Sequence, residues 1–249
     1  MPLTTPSGGL EELVDATSGK EIVATPAIVD RFEDLTKKYE YFLANSVGIE
    51  WLADRIEWVT DLEQEVVLPC DINLFLQQTR EYENHKNYTQ NTGIFISQLI
   101  KNSYNAGNNK FELNFNYLRL IDRTALSISG TKEKIIVIVI TGEVGDSCGV
   151  NTRHSMFTVE KAGDWCGQYA QHSTFTIKEA GPWCGRNAEH STFTIGEAGE
   201  WCGSSSKHST FNTHNSLQYE RFKKSVPQKN GNAVYLLSDT GSILQGGPW

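Results

Sequence analysis

The chain has 249 residues, 39 % hydrophobic and 21 % charged, which suits a folded globular protein and argues against wholesale disorder. A formal charge of -8 disfavours nucleic acid and anionic membranes, since both recruit clustered Lys and Arg. No apolar run is long enough for a transmembrane helix; the longest, Ile135 to Ile140, is a third of a span.

Residues 1–25 are rich in Thr, Gly, Ser and Pro and read as a loose arm without the basic start and apolar core of a signal peptide. A helical region is expected over 26–107. Ile28, Phe32, Leu35, Tyr39 and Phe42 recur at three- and four-residue steps and define one helix face. Ile49, Leu52, Ile56, Val59 and Val66 define a second, with Asn45 to Gly48 as the break. Pro69 should end that helix, and Asp71 should cap a third running to Asn84. After a polar stretch, Glu83 to Asn91, a fourth is expected over Gly93–Tyr104, closed by Asn105-Ala106-Gly107. The period then changes to two at Phe111–Phe115 and at Leu126–Ser129. Lys134–Thr141 reads as a strand covered on both faces.

Between 143 and 211 the chain repeats. His172-Ser-Thr-Phe-Thr-Ile-Lys-Glu-Ala-Gly-Pro-Trp-Cys-Gly has near-copies starting at His154 and His190, and a fourth begins at His208; both the His and the Cys positions (148, 166, 184, 202) are 18 residues apart. A fixed period means one supersecondary unit per copy, each touching its neighbours. Recurrent Gly and β-branched residues exclude an α-solenoid, and eighteen residues accommodate short strands and corners. Within a copy, alternation puts Phe175 and Ile177 on one side and Thr174 and Thr176 on the other. Ser216–Lys224 reads as a helix and Val234–Leu237 as a final strand, an end piece hiding the open rung.

The stretch Ile140-Thr-Gly142-Glu-Val-Gly145-Asp-Ser-Cys-Gly149 resembles the repeat of the GXGXG domain of glutamate synthase and of the C subunit of formylmethanofuran dehydrogenase. The similarity covers about residues 135–212. Gly145, Gly163, Gly181 and Gly199 match the middle glycine, and Gly149, Gly167, Gly185 and Gly203 the last; Ser155, Ser173 and Ser191 stand where family copies often have Gly. The resemblance implies a right-handed β-helix and a structural, bridging role with no reaction of its own. The Trp-Cys-Gly coils also resemble those of uncharacterised archaeal β-solenoid proteins.

Four columns carry chemical potential. Four zinc-bound thiolates would each sit about 2.3 Å from one ion, which sulfurs on rungs about 4.8 Å apart cannot do, so the Cys column reads as interior packing and no metal or cofactor is expected. Imidazoles at His154, His172, His190 and His208 read as solvated corner residues; a pH sensor is the alternative. If Cys points inward, Trp165, Trp183 and Trp201 point outward and form an apolar stripe of the kind that marks contact surfaces. Thr174-Phe-Thr176 and Thr192-Phe-Thr194 make a short Thr array, flanked by Met156 and Asn212.

The sequence therefore predicts an α+β protein: an arm (1–25), a helical region (26–107) packed on a short right-handed parallel β-helix of 18-residue coils (108–215), and a helix-strand cap (216–249). Its expected role is a cytoplasmic, non-enzymatic scaffold binding a protein partner, not nucleic acid or membrane, through Trp165, Trp183 and Trp201. The alternatives are an accessory subunit or small enzyme with a site between helices and solenoid, near His85–Asn91 and Asp122-Arg123, and a surface-adhesion or ice-binding solenoid.

Overall fold

A computed structural model describes residues 32–45 and 65–248. The expected arm and second helix lie outside these residues, apart from Val66, which sits in irregular chain. Helix α1 spans Glu33–Asn45, and within it the chain divides into two compact units at Lys37–Lys38. In the second unit, helix α2 (Pro69–Gln78) starts rather than follows a stop: Pro69 occupies the first turn, where its missing N–H costs nothing, and Leu68 is the N-cap. Asp71 is thus a buried first-turn residue, not a cap. A 3-10 turn, Thr79–Tyr82, follows. Helix α3 (Tyr88–Asn105) begins five residues before Gly93, with Asn87 at the N-cap position but making no side-chain cap bond; its amide donates to Leu43 O of α1 instead. Tyr39, Phe75 and Phe95 meet edge to face, with centroids 5.6 and 5.1 Å from the Tyr39 ring, whose hydroxyl hydrogen-bonds Thr92 (2.6 Å).

The rest is one eight-stranded sheet in sequence order: β1 (Lys110–Asn114), β2 (Ile136–Val144), β3 (Ser155–Ala162), β4 (Thr174–Ala180), β5 (Thr192–Ala198), β6 (Thr210–Thr213), β7 (Ala233–Leu237) and β8 (Ile243–Pro248). β1 to β7 pair in parallel and β8 is antiparallel to β7, which makes the chain a parallel β-solenoid. The strand β8 was not legible as one; Val234–Leu237 is the penultimate strand.

Register stacks like on like. Phe157, Phe175, Phe193 and Phe211 share a column, as do Val159, Ile177 and Ile195, all buried. The Phe rings lie face to face at 4.6, 4.9 and 5.1 Å, within 5° of parallel. Direct sandwich stacking is not the preferred aromatic geometry; the backbone ladder imposes it, and burial of each ring outweighs the difference. Between β2 and β3 the step lengthens, with a bulge at Thr141-Gly142. The outward Val137 and Val139 of β2 remain half-buried, so that strand is covered on one face fully and on the other only in part.

Corners explain the rest of the period. Trp165 (φ 58), Gly167 (φ 65), Tyr169 (φ 58) and His172 (φ 50) are left-handed, and the same positions are left-handed in the neighbouring coils. That backbone costs a non-glycine residue roughly 1–2 kcal/mol. It also swings the N–H of Trp165, Tyr169 and His172 onto Pro182, Arg186 and Glu189 of the next coil (2.9, 3.0 and 3.1 Å), so each strained residue closes an inter-coil hydrogen bond. At Gly167 a Cβ would press on Phe175 and Phe193 at 3.0 Å or less. At Gly181 it would meet the backbone of Gly163 and Asp164 at 2.7–2.8 Å; here close coil approach, not torsion, demands glycine.

The serine column formed by Ser155, Ser173, Ser191 and Ser209 has a distinct job. Ser173 Oγ accepts from Ser155 N and donates to the carbonyl of Gln171; Ser191 and Ser209 repeat the pattern, and Asn232 ends it by accepting from Ser209 N (2.9 Å).

Both ends are capped. On β1, Asn73 Oδ1 accepts from Asn114 N and Gln77 Nε2 donates to Asn114 O, so two α2 amides take the place of a further strand. Past the last full coil, helix α4 (Ser216–Ser225), N-capped by the Asn215 side chain, replaces the corner. Arg221 donates to Ala198 O, Ser225 to Cys202 O, and Phe222 covers Phe211 at 5.9 Å.

An extra corner precedes the visible repeat. Leu126–Ser129 is not a strand. Ala125 (φ 57) and Ser127 (φ 51) are left-handed, and Thr124 O accepts from Gly149 N just as Cys148 O does from Gly167 N. Residues 121–130 are therefore a corner without Trp or Cys; its inside-outside alternation mimics a strand.

Candidate functional site

The four Cys side chains lie inside, buried and free, with buried Thr124 in the matching place one coil earlier. Contact with Cys166 and burial raise the Cys148 thiol well above its usual value; contact with Cys166 and Cys202 together with burial does the same for Cys184. A thiolate at either position would be fully enclosed with no cation to offset its desolvation. Among the described residues no group of three or more His, Cys, Asp or Glu is arranged to hold a metal.

Trp165, Trp183 and Trp201 point outward, opposite to the buried sulfurs beside them. Trp165 and Trp183 are half-buried and stacked at 5.4 Å, 6° from parallel, while Trp201 is 59 % exposed. Tyr169 adds a further exposed ring to this corner.

The imidazoles also form a continuous ladder. Successive rings from His154 to His208 are 5.1, 5.0 and 5.0 Å apart and within 11° of parallel; His154 is half-buried and the others exposed. Burial, then neighbouring imidazoles, lower the His172 pKa. Beside the ladder run Arg153, Gln171, Glu189 and Lys207, joined as Arg153–Gln171 (2.6 Å) and Glu189–Lys207 (3.2 Å).

On the outer sheet face, Thr158, Thr176 and Thr194 align in one column and Thr174, Thr192 and Thr210 in the next. Two rungs carry both threonines; Met156 and Asn212 make half-rungs on either side.

Where α3 meets the 121–130 corner, the helix-solenoid junction is filled. Gly93 of α3 lies so close to the 121–130 corner that a Cβ would fall 1.8 Å from Asp122 O. Asp122 N donates to Thr89 O, Ser97 Oγ donates to Arg123 O, and Asp122 Oδ1 accepts from Asp146 N. Of the residues expected to serve a site there, His85–Asn91 with Asp122 and Arg123, the last two are engaged in joining α3 to the solenoid, while Asn87 Nδ2 donates to Leu43 O of α1. Two shallow clefts remain, the first of them between α2 and β1. One of about 490 Å³ is lined by Pro69, Cys70, Asn73, Leu74, Lys110 and Glu112, the last two paired at 2.7 Å. Another, of about 380 Å³, runs over the Ala-Gly steps 162–163, 180–181 and 198–199 to Gln218 and Arg221 of α4. The first holds the exposed Cys70 thiol, 3.7 Å from Asp71 Oδ1. No helix among the described residues is long and apolar enough to cross a membrane.

No protein-family model, curated protein sequence or solved structure matches this chain.

Proposed function

We propose that this protein is a non-enzymatic scaffold that docks a protein partner on the face formed by Trp165, Trp183 and Trp201. One observation carries the reading: side chains with chemical potential occur as columns of identical groups, whereas catalysis needs different groups converging once. Of those columns only the Trp one is both apolar and outward, and an indole stripe suits the core of a protein interface. The close packing of α3 on the 121–130 corner supports this reading over an active site at Asp122 and Arg123. Its kinship with the GXGXG β-helices, where the coil bridges and supports, is part of the same proposal. So is a cytoplasmic setting, which five free thiols, one of them exposed, favour. Affinity capture from native extract tests it, comparing wild type with W165N/W183N/W201N; Asn suits the left-handed backbone. Loss of specific partners from the folded variant is expected, and identical partner sets would refute the Trp face.

A second reading rests on the two-column Thr lattice, a flat repeat of hydroxyls suited to an ordered surface such as ice. Freezing-point hysteresis by the purified protein, abolished by T176Y, would favour it over docking.

A further inference from the structure

The imidazole ladder has a property that the docking role neither needs nor explains. Four rings stand face to face at 5.0–5.1 Å, on an outer corner where protons reach them. The ladder stops at glycine on both sides. Gly130 holds the corresponding place before His154, its N–H donating to Arg153 O, and Gly231 packs on the His208 ring beyond it. Every ladder residue also ties two coils together at its own backbone. His154 N donates to Gln171 O, His172 N to Glu189 O, His190 N to Lys207 O and His208 N to Asn230 O, all at 3.0–3.1 Å. Repulsion between neighbouring rings therefore acts along the same axis as this column of bonds.

We propose that the ladder is an acid-sensitive seam: it takes up protons one after another over a widened pH range, and each adjacent charged pair loosens the coil-to-coil contact at that corner. Two imidazolium ions about 5 Å apart near a surface oppose each other by the equivalent of ~1–2 pH units, so adjacent rings cannot titrate independently. Surrounding charges do not cancel this. Lys132 and Arg153 add positive potential at the His154–His172 end. Glu189, the carboxylate beside the ladder, is already paired with Lys207. The lowered proton affinity of His172, caused by burial and then by its two neighbours, agrees with this geometry. The sign is fixed: a histidine that binds protons less readily folded than unfolded costs nothing above its ordinary value of 6.5. As pH falls from there through the depressed native value, native stability is lost.

The test is a ring-proton NMR titration of the full chain from pH 8 to 4, with His85 and His214, outside the ladder, as internal references. Ladder signals should give broadened transitions with Hill coefficients of roughly 0.5–0.8. A companion measurement follows Tm against pH for wild type and H172N/H208N, which leaves His154 and His190 two coils apart. Between pH 7 and 5 the wild type should lose several degrees more than the variant. Four independent single-site curves, or equal Tm losses in the two proteins, would overturn the proposal; the titration needs no variant to fold.

Discussion

At the scale of the residue, one substitution in the repeat exposes how a corner handles charge. Asp122 Oδ1 accepts from Asp146 N, and Asp146 Oδ1 from Asp164 N, both at 2.9 Å. Asp164 has no such donor, because the residue that should supply it is Pro182. Burial, and then the nearby Asp146, raise the Asp164 pKa. A carboxyl that holds its proton more tightly folded than unfolded costs stability when charged, and that cost fades as pH falls through the raised native value towards 3.8. D164N should therefore be slightly more stable than wild type at pH 7, by roughly 0.5 kcal/mol or less, since much of the group faces solvent. Denaturant titrations at pH 7 and pH 4 check this: the gap should close in acid, and a gap that widens there would contradict the assignment.

Among elements, α4 shows what a solenoid must do when its sequence stops repeating. Three side chains, Arg221, Phe222 and Ser225, stand in for a coil by covering a ring and two carbonyls of the last one. F222A should cost about 3–4 kcal/mol. Because each coil contacts only its neighbours, loss of hydrogen-exchange protection should concentrate in β6 and β7 and spare β3; uniform loss would argue for a single undivided core. The same logic separates what was legible in the sequence from what was not. Coils between 143 and 211 could be read because each column keeps its residue type. The corner at 121–130 could not, since Asp122-Arg-Thr-Ala preserves only the acid and the two small residues of Asp164-Trp-Cys-Gly. Helix α3 starts within a stretch, Tyr88–Thr92, that lacks the aliphatic residues which would mark it, and Pro69 opens a helix where a stop was expected: a proline fits the first turn of one helix as well as the end of another. The serine column gives no sign in the sequence of its role, yet its hydroxyls form a ladder of their own.

For the whole molecule, the columns sort into inside and outside with little ambiguity. Phe, Ile/Val and Cys fill the bore, so the thiols that most suggest chemistry are packing groups. Trp, His and Thr face outward, and each imposes one kind of side chain at regular intervals. Trp201, at the end of its column, is the most open indole of the three. Hydroxyl-radical footprinting read by mass spectrometry tests the docking claim most directly, on the isolated protein and on the protein captured in native extract. Trp201 should be the most oxidised of the three indoles in isolation, and all three should be protected in extract while Met156 on the sheet face is not. Equal oxidation of the indoles in both samples would contradict a partner on this face.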